Sequence, residues 1–198
     1  GQGIFERHQP DVLIGYLNLG FFALLLLQVF QFGLKHFDGR IAGLSVALLF
    51  GSEILWRFTY SGLSTLFLAN VFFALFRVLA TVGDSEESPM SAGKAFLIAL
   101  GLGVLLALGC LTRYGFGWFL IPVSLYLLLR GGKQRWILGV VTVGTFFVLI
   151  APWLYRNYTL CGQPFGAATY AIAEETGAYP GTRLLRSLKP DINAVNFE

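Results

Sequence analysis

The sequence predicts an all-α membrane protein: a polytopic transmembrane helix bundle of about six spans, followed by the start of an extracytoplasmic segment. Hydrophobic residues make up 56% of the 198 residues and charged residues only 13%, whereas soluble domains carry about 25% charge. The mean hydropathy is +0.68, and the apolar residues are gathered into long runs separated by short polar connections. This composition excludes an ordinary soluble globular domain.

Six apolar runs are the predicted spans, because a bilayer core of about 30 Å needs about 20 apolar residues in a helix. In chain order the runs are 12–34, 41–56, 62–82, 95–111, 114–129 and 136–155. The shorter runs require local thinning of the bilayer, interfacial residues at their ends or packing against neighbours. We therefore expect a transmembrane bundle over residues 1–158 and an extracytoplasmic segment over residues 159–198.

The charges of the connections predict an orientation. Alternate connections form two sets. The set with KHFDGR (35–40), residues 77–94 and RGGKQR (130–135) carries seven Lys or Arg residues, and the other set carries four close to the membrane. Because Lys and Arg are enriched in cytoplasmic loops, the first set is expected in the cytoplasm. The other connections and the C-terminal segment are then expected to be extracytoplasmic.

The exits of the spans on that second face share a pattern. Each carries an arginine beside an aromatic residue: Arg57 near Trp56 and Tyr60, Arg113 beside Tyr114, and Arg156 beside Tyr155. A guanidinium group at such an exit can bind a phosphate with a fork of hydrogen bonds. Alternatively, it can extend to lipid headgroups without a specific ligand. Both interpretations stay open from the residue types alone.

Several residues near these exits also have two interpretations. Glu53 precedes Arg57 by one helical turn, which favours an ion pair within one helix, yet an acid within a span is also a candidate functional group. The glycines around Arg113, namely Gly109, Gly115 and Gly117, allow either close approach of the backbone to a ligand or close packing of helices.

Other polar and small residues within the runs indicate helix packing. Interhelical hydrogen bonds are the interpretation for Asn18, Gln28, Gln31 and Asn70. Gly43, Ala47 and Gly51 recur every four residues, which predicts a small-residue face for close helix contact. Pro152 is expected to bend or end the last span.

The charge and the cysteine content argue against two further classes of partner. The net charge of +3 comes from basic residues scattered between apolar runs, so no nucleic-acid partner is predicted. Two Cys and two His stand at no metal-binding spacing, so neither a metal site nor a covalently bound cofactor is predicted.

The chain opens on Gly1, and its single methionine is Met90. We therefore expect an internal fragment of a longer polytopic protein.

Two segments, GLGVLLALGCLTRYGFGWFLIPVSLYLLL (101–129) and APWLYRNYTLCGQPFGAAT (151–169), resemble the polytopic membrane glycosyltransferases of the GT-C superfamily. They resemble in particular the bacterial relatives of protein O-mannosyltransferases and aminoarabinose transferase. The family pattern A-P-W-x-x-R-N-Y-x-x-x-G-x-P is met at residues 151–164, and its L-T-R at residues 111–113. FTYSGLSTLFLA (58–69) resembles the family's re-entry before its next span, and the likeness covers residues 11–169.

The resemblance implies a transferase that moves a sugar from a polyprenyl-phosphate-linked donor to an extracytoplasmic acceptor at the bacterial inner membrane. Its expected partners are membrane lipids and the lipid-linked donor. The family position expected to face the lipid phosphate is matched by Arg113. Arg156 and Arg57 complete the predicted lipid-phosphate-binding set, and Asn157, Tyr158 and Tyr114 are the predicted supporting residues.

The resemblance also implies a catalytic acid that this chain lacks. Family members carry an Asp or Glu after their first span, and the sequence begins beyond that loop, so the fragment is expected to be inactive. Within it, Glu53 is the candidate acid. The sugar, the acceptor and a requirement for a divalent metal are left open by the sequence.

Two other classes remain as alternatives. A membrane transporter or lipid flippase would have broken helices at matching places in two repeated halves. Pro122 is the interior proline placed to break a span, and no repeat is evident in the sequence. A non-catalytic membrane subunit is the second alternative, and the structural interpretations of the polar residues would suffice for it.

Overall fold

A computed structural model describes residues 10–83 and 90–166, and these residues are helical nearly throughout, without a strand. The predicted all-α class is therefore confirmed for this part of the chain. Most of the predicted extracytoplasmic segment 159–198 lies outside the described residues. The chain divides into two compact units, residues 1–146 and 147–198, which are described separately.

The helices follow one another with short connections. They are α1 (Pro10–His36), α2 (Gly39–Phe50), α3 (Glu53–Tyr60), α4 (Thr65–Gly83), α5 (Ala92–Thr112), a 3₁₀ segment (Tyr114–Phe119), α6 (Leu120–Arg130), a short 3₁₀ turn (Gly132–Gln134) and α7 (Arg135–Cys161). Within the described ranges, α1, α4, α5 and α7 are long and apolar enough to cross a membrane, and α2 with α3 forms a fifth, bent candidate.

The apolar surface of these helices faces mostly outward. In the most apolar 18-residue stretch of α1, only 17% is buried. The corresponding stretch of α5 is the most buried among the long helices, at 44%. Large side chains such as Leu13, Phe96 and Leu129 are exposed. A soluble monomer rarely presents contiguous apolar surface on this scale. The helices are those of an integral membrane protein.

Helices α1 and α4 run in the same direction. The Phe21 ring contacts the Phe67 ring near the start of α4, with centroids 5.3 Å apart. Further along, Phe32 contacts Phe76 at 5.4 Å. Since both contacts advance together along the two helices, the segment that joins α1 to α4 has to return to the starting end.

The α2–α3 pair provides that return. Near its start Gly33 of α1 lies against Ala42, where a Cβ atom on the glycine would come within 2.9 Å of the Ala42 Cα. At its end the Asn18 side chain donates a hydrogen bond of 2.7 Å to the Ser61 carbonyl. The pair therefore covers about 22 Å along α1, which is most of a bilayer core of about 30 Å.

The predicted span over residues 41–56 is not one straight helix, because α2 and α3 meet at an angle of 56°. Gly51 ends α2, and its N–H donates to the Ala47 carbonyl at 2.9 Å. The indole N–H of Trp56 donates to the Phe50 carbonyl at 2.7 Å. Glycine and serine are poor residues for the interior of a helix, so the break falls at Gly51 and Ser52. Gly51 is thus the C-terminal cap of α2.

The predicted span 114–129 also departs from one regular helix. It consists of the 3₁₀ segment and α6, which together rise about 28 Å. The Phe119 ring contacts Phe72 at 5.3 Å, and the Tyr126 hydroxyl donates to the Leu79 carbonyl at 3.3 Å. Because these contacts advance together, α6 runs parallel to α4.

The predicted interhelical hydrogen bonds are confirmed. The Gln28 amide donates to the Asn70 side-chain oxygen at 2.8 Å, and the Asn70 amide donates to the Phe21 carbonyl at 2.8 Å. Gln31 accepts a longer bond of 3.4 Å from Arg77. These contacts join α1 to α4, and each such bond stabilises a membrane bundle by about 0.6 kcal/mol.

Helix α7 begins in the first unit and crosses α5 closely there. The Thr142 hydroxyl donates to the Ala99 carbonyl at 3.2 Å. A Cβ atom on Gly103 would lie 2.5 Å from the Thr145 Cβ, so only glycine permits this approach. In the second unit the helix continues through Pro152 to Cys161, so it does not end at the proline, and the expected bend there stays a prediction.

Candidate functional site

The backbone of Arg113 is fixed between two helices. Its N–H donates to the Gly109 carbonyl at 2.8 Å, and its carbonyl accepts from the Phe116 N–H at 2.9 Å. With φ −145° and ψ 120°, Arg113 is the single extended residue between α5 and the 3₁₀ segment. The chain reverses here over one residue, so the turn fixes the backbone of Arg113 and the direction in which its side chain leaves it.

Two of the three neighbouring glycines make this turn tight. The Phe116 ring lies directly over Gly109, where any Cβ atom would collide with it, and a Cβ atom on Gly117 would lie 3.0 Å from the Cys110 Sγ. The close-packing interpretation therefore holds for Gly109 and Gly117. At Gly115 nothing lies within 4 Å of the Cβ position, and nothing in the structure explains this glycine.

The Arg113 side chain is exposed and reaches the start of α4. Its Nη2 atom donates to the Thr65 hydroxyl at 3.4 Å, and Thr65 is the first residue of α4. Among the described residues no carboxylate lies within ion-pair distance of Arg113. A cation beside the positive N-terminal end of a helix is electrostatically unfavourable. An anion placed between the two would interact favourably with both.

Arg57 has a different environment, because it pairs with Glu53. Its Nε and Nη2 atoms donate to one Glu53 oxygen at 3.0 and 2.7 Å. Both side chains are highly exposed, at 77% for Arg57 and 79% for Glu53. The predicted ion pair within one helix is therefore confirmed, and an exposed pair of this kind contributes about 0.3–0.5 kcal/mol. Because Glu53 already accepts these hydrogen bonds, Arg57 is less able than Arg113 to bind an external phosphate.

Arg156 belongs to the second unit, where its guanidinium carbon lies 5.1 Å from the centroid of the Trp153 ring. Asn157 is buried, and the backbone of Gly166 packs against it, with a Cβ position 3.7 Å from the Asn157 Cγ. Tyr158 is exposed. The R-N-Y motif thus presents Arg156 and Tyr158 outward, while Asn157 packs against the turn that follows α7.

The predicted site residues thus fall into three groups. Arg113 reaches the start of α4, and the neighbouring Tyr114 is half-buried. Arg57 is paired with Glu53 on α3. The residues of the R-N-Y motif are in the second unit. A common phosphate-binding surface formed by Arg57, Arg113 and Arg156 stays a prediction, and Arg113 has the geometry best suited to an anion.

A cleft between α4 and α6, which the sequence reasoning missed, lies in the same unit. Its volume is about 270 Å³, and its walls are mainly apolar: Phe72, Leu75, Phe76, Leu79, Phe119, Pro122, Val123 and Tyr126. It begins about 10 Å along α4 from Thr65. In the sequence, this cleft could have been expected from Phe72 and Phe76, which are one helical turn apart. Two bulky rings on the same face of α4 hold a neighbouring helix away and leave space between the two helices.

In the described part of the chain no group of three or more His, Cys, Asp or Glu side chains comes together to hold a metal ion. No family model, no curated protein and no solved structure matches the chain. The resemblance to the GT-C glycosyltransferases therefore rests on the motifs of residues 58–69, 101–129 and 151–169.

Proposed function

We propose that this chain is part of an integral membrane glycosyltransferase that uses a polyprenyl-phosphate-linked sugar, and that Arg113 binds the phosphate of that donor. One observation carries the proposal. The backbone of Arg113 is fixed by two hydrogen bonds next to the start of α4, and within the described residues the polar partner of its guanidinium is the neutral hydroxyl of Thr65 at 3.4 Å. The sequence motifs around Arg113 point to the same class of enzyme.

The electrostatics of this position favour a phosphate. The free N–H groups at the start of α4 contribute about 0.3–1 kcal/mol to the binding of an anion. Hydrogen bonds from a guanidinium to a charged acceptor contribute about 1.5–3 kcal/mol each. The long 3.4 Å bond to Thr65 is weak, so a phosphate oxygen can replace it at small cost.

The cleft between α4 and α6 supports a lipid-linked phosphate over a soluble one. Both helices lead away from the Arg113–Thr65 contact, α4 directly and α6 through the 3₁₀ segment. Their facing side chains, including Phe72, Phe119 and Pro122, form the apolar walls of the cleft. A polyprenyl chain has the matching chemistry, and a phosphate bound at Arg113 would place its chain at the entrance.

In the proposed reaction an acceptor hydroxyl attacks the anomeric carbon of the sugar, and a general base removes the hydroxyl proton. The bond between the anomeric carbon and the phosphate oxygen breaks, and the phosphate leaves with the electron pair. Arg113 stabilises the charge that develops on that oxygen. The proposal leaves the base unassigned, because Glu53, the candidate acid of this sequence, is hydrogen-bonded to Arg57.

The proposed topology has six crossings, formed by α1, the α2–α3 pair, α4, α5, the 3₁₀ segment with α6, and α7. Two contacts support a common face for the exits with Arg57 and Arg113. Asn18 near the start of α1 bonds to Ser61 after α3, and Arg113 after α5 reaches Thr65 at the start of α4. We assign this face and the C-terminal segment to the extracytoplasmic side of a bacterial inner membrane.

A transporter or flippase is the second candidate, and the break between α2 and α3 favours it. Discontinuous helices form the substrate sites of many secondary transporters. In those proteins the break lies near the middle of the bilayer and recurs in the second half of the chain. A substrate-dependent change in the labelling of a cysteine placed at Ser52 from both sides of the membrane would support transport. A constant labelling pattern would favour the transferase.

The binding test uses the full chain in phosphatidylcholine nanodiscs and a polyprenyl monophosphate as the probe. Arg113→Gln should weaken binding at least tenfold, which corresponds to the loss of one charged hydrogen bond of about 1.4 kcal/mol. Lys94→Gln is the matched control, since it removes the same charge from the other end of α5. Equal binding by wild type and Arg113→Gln would reject the phosphate role and leave Arg113 as a headgroup anchor.

A further inference from the structure

We propose that Asn18 of α1 is a positioning residue for the phosphate site, because it holds the start of α4 in place beside Arg113; this role rests on the proposed function. A phosphate bound between Arg113 and α4 needs both sides of the site at a fixed separation. The Arg113 side is fixed by the hydrogen bonds of its own turn, to Gly109 and Phe116. The other side begins at Thr65, directly after an irregular connection.

This connection, residues 61–64, joins α3 to α4, and three of its four residues are exposed. Its backbone hydrogen bonds are local. The Ser61 N–H donates to the Arg57 carbonyl at 3.1 Å, and the Ser64 carbonyl accepts from the Leu68 N–H at 3.0 Å. The first bond ends α3 and the second begins α4, so neither fixes one helix relative to the other.

Asn18 supplies a hydrogen bond from a third helix. Its side chain is only 3% exposed. The Nδ2 atom donates to the Ser61 carbonyl at 2.7 Å and, over a longer 3.5 Å, to the Phe58 carbonyl. Over residues 10–83 and 90–166, no other hydrogen bond joins residues 61–64 to a helix besides α3 and α4. From Ser61 the chain extends at most about 14 Å to Thr65, so Asn18 limits where α4 begins.

The next turn of α1 holds α4 on the other side of Thr65. The Phe21 ring contacts the Phe67 ring with centroids 5.3 Å apart, and the Phe21 carbonyl accepts from the Asn70 amide at 2.8 Å. Asn18 therefore holds the chain before Thr65, and Phe21 holds the helix after it. Between these two attachments, the Thr65 hydroxyl lies 3.4 Å from the Nη2 atom of Arg113.

Asn18 also has a purely structural use, because the carbonyls at the end of α3 have no partner within that helix. The two roles lead to different expectations. If Asn18 only stabilises the bundle, its loss lowers the amount of folded protein and leaves the affinity of the folded protein unchanged. If it positions the start of α4, the folded protein itself binds phosphate less tightly.

The test measures the binding of a polyprenyl monophosphate to the full chain in phosphatidylcholine nanodiscs. Asn18→Leu should weaken binding about two- to fivefold, which corresponds to the contribution of about 0.3–1 kcal/mol that a helix start makes to anion binding. The loss should be smaller than in Arg113→Gln, because Asn18 does not contact the phosphate. Gln28→Leu is the matched control. It removes another buried amide of α1, one that bonds to α4 further along, and should leave the affinity of the folded protein unchanged.

Two further measurements separate positioning from stability. Amide hydrogen exchange over residues 61–68 should be faster in Asn18→Leu than in Gln28→Leu, and equal exchange would contradict the anchoring. In an Arg113→Gln background, Asn18→Leu should weaken binding less than it does in wild type, because the phosphate is no longer held against the start of α4. An additive loss would show that Asn18 and Arg113 act independently and would overturn the positioning role.

Wild-type affinity in Asn18→Leu would overturn the role of Asn18 and leave the proposed function intact. An equal loss of affinity in Gln28→Leu would do the same. A wild-type chain without affinity for the probe would reject the proposed function and this role together. If Asn18→Leu fails to fold, Asn18→Ser decides, because a serine hydroxyl in a helix bonds to a carbonyl of its own preceding turn and so releases the Ser61 carbonyl.

Discussion

Gly109→Ala tests whether the turn under Phe116 positions Arg113. The added methyl group would collide with the Phe116 ring, and the neighbouring helix α5 leaves the ring little room, since Phe116 is 5% exposed. Overpacking of this kind costs about 1–3 kcal/mol. Because the Phe116 N–H bonds to the Arg113 carbonyl at 2.9 Å, movement of the ring would also move the arginine away from Thr65.

The assay is the binding of a polyprenyl monophosphate to the full chain, together with thermal unfolding in the same detergent. Gly109→Ala should lower both affinity and stability, and Gly109→Ala/Phe116→Leu should recover part of each. Gly115→Ala is the matched control, because nothing lies within 4 Å of that Cβ position. Wild-type binding and stability in Gly109→Ala would show that this turn does not position Arg113, as would an equal loss in Gly115→Ala.

Two further predictions concern the bundle. Asn70→Leu removes the acceptor of the Gln28 amide and two donated bonds to the Phe21 and Leu66 carbonyls, so it should destabilise the chain by about 2 kcal/mol. Unfolding in mixed micelles measures this, and a Gln28→Leu/Asn70→Leu variant should lose less than the sum of the two single changes; an additive loss would contradict the coupling. Single cysteines at Gly62 and Gly132, in a Cys110→Ala/Cys161→Ala background, should react with an impermeant thiol reagent from opposite sides of the membrane. Reaction from the same side would contradict the six-crossing topology.

The parts of the fold that the sequence predicted follow from local chemistry. The apolar runs are recognisable as spans from their length alone. An unpaired amide in a bilayer is costly, so Asn70 within a span indicates an interhelical hydrogen bond. The pairing of Glu53 with Arg57 follows from their spacing on one helix. Each of these inferences depends on residues that are close in the sequence.

The parts that the sequence did not predict depend on contacts between distant residues. Residues 41–56 form one apolar run, and the break at Gly51 is stabilised by the Phe22 ring, which lies 5.2 Å from Trp56. Pro152 lacks one hydrogen-bond donor, yet α7 continues through it. The contact of Arg113 with Thr65 depends on how α4 packs against α5. Hydropathy and spacing contain none of this information.

In the proposed mechanism, Arg113 stabilises the leaving phosphate of a lipid-linked sugar. We would measure sugar transfer from a polyprenyl-phosphate donor by the full-length protein that carries this sequence, in wild type and Arg113→Gln at matched expression and stability. We expect a fall in kcat of about 10²–10³-fold, the usual effect of removing one group that stabilises a developing negative charge. An unchanged kcat, or a wild-type protein that transfers no sugar from any such donor, would contradict this role of Arg113.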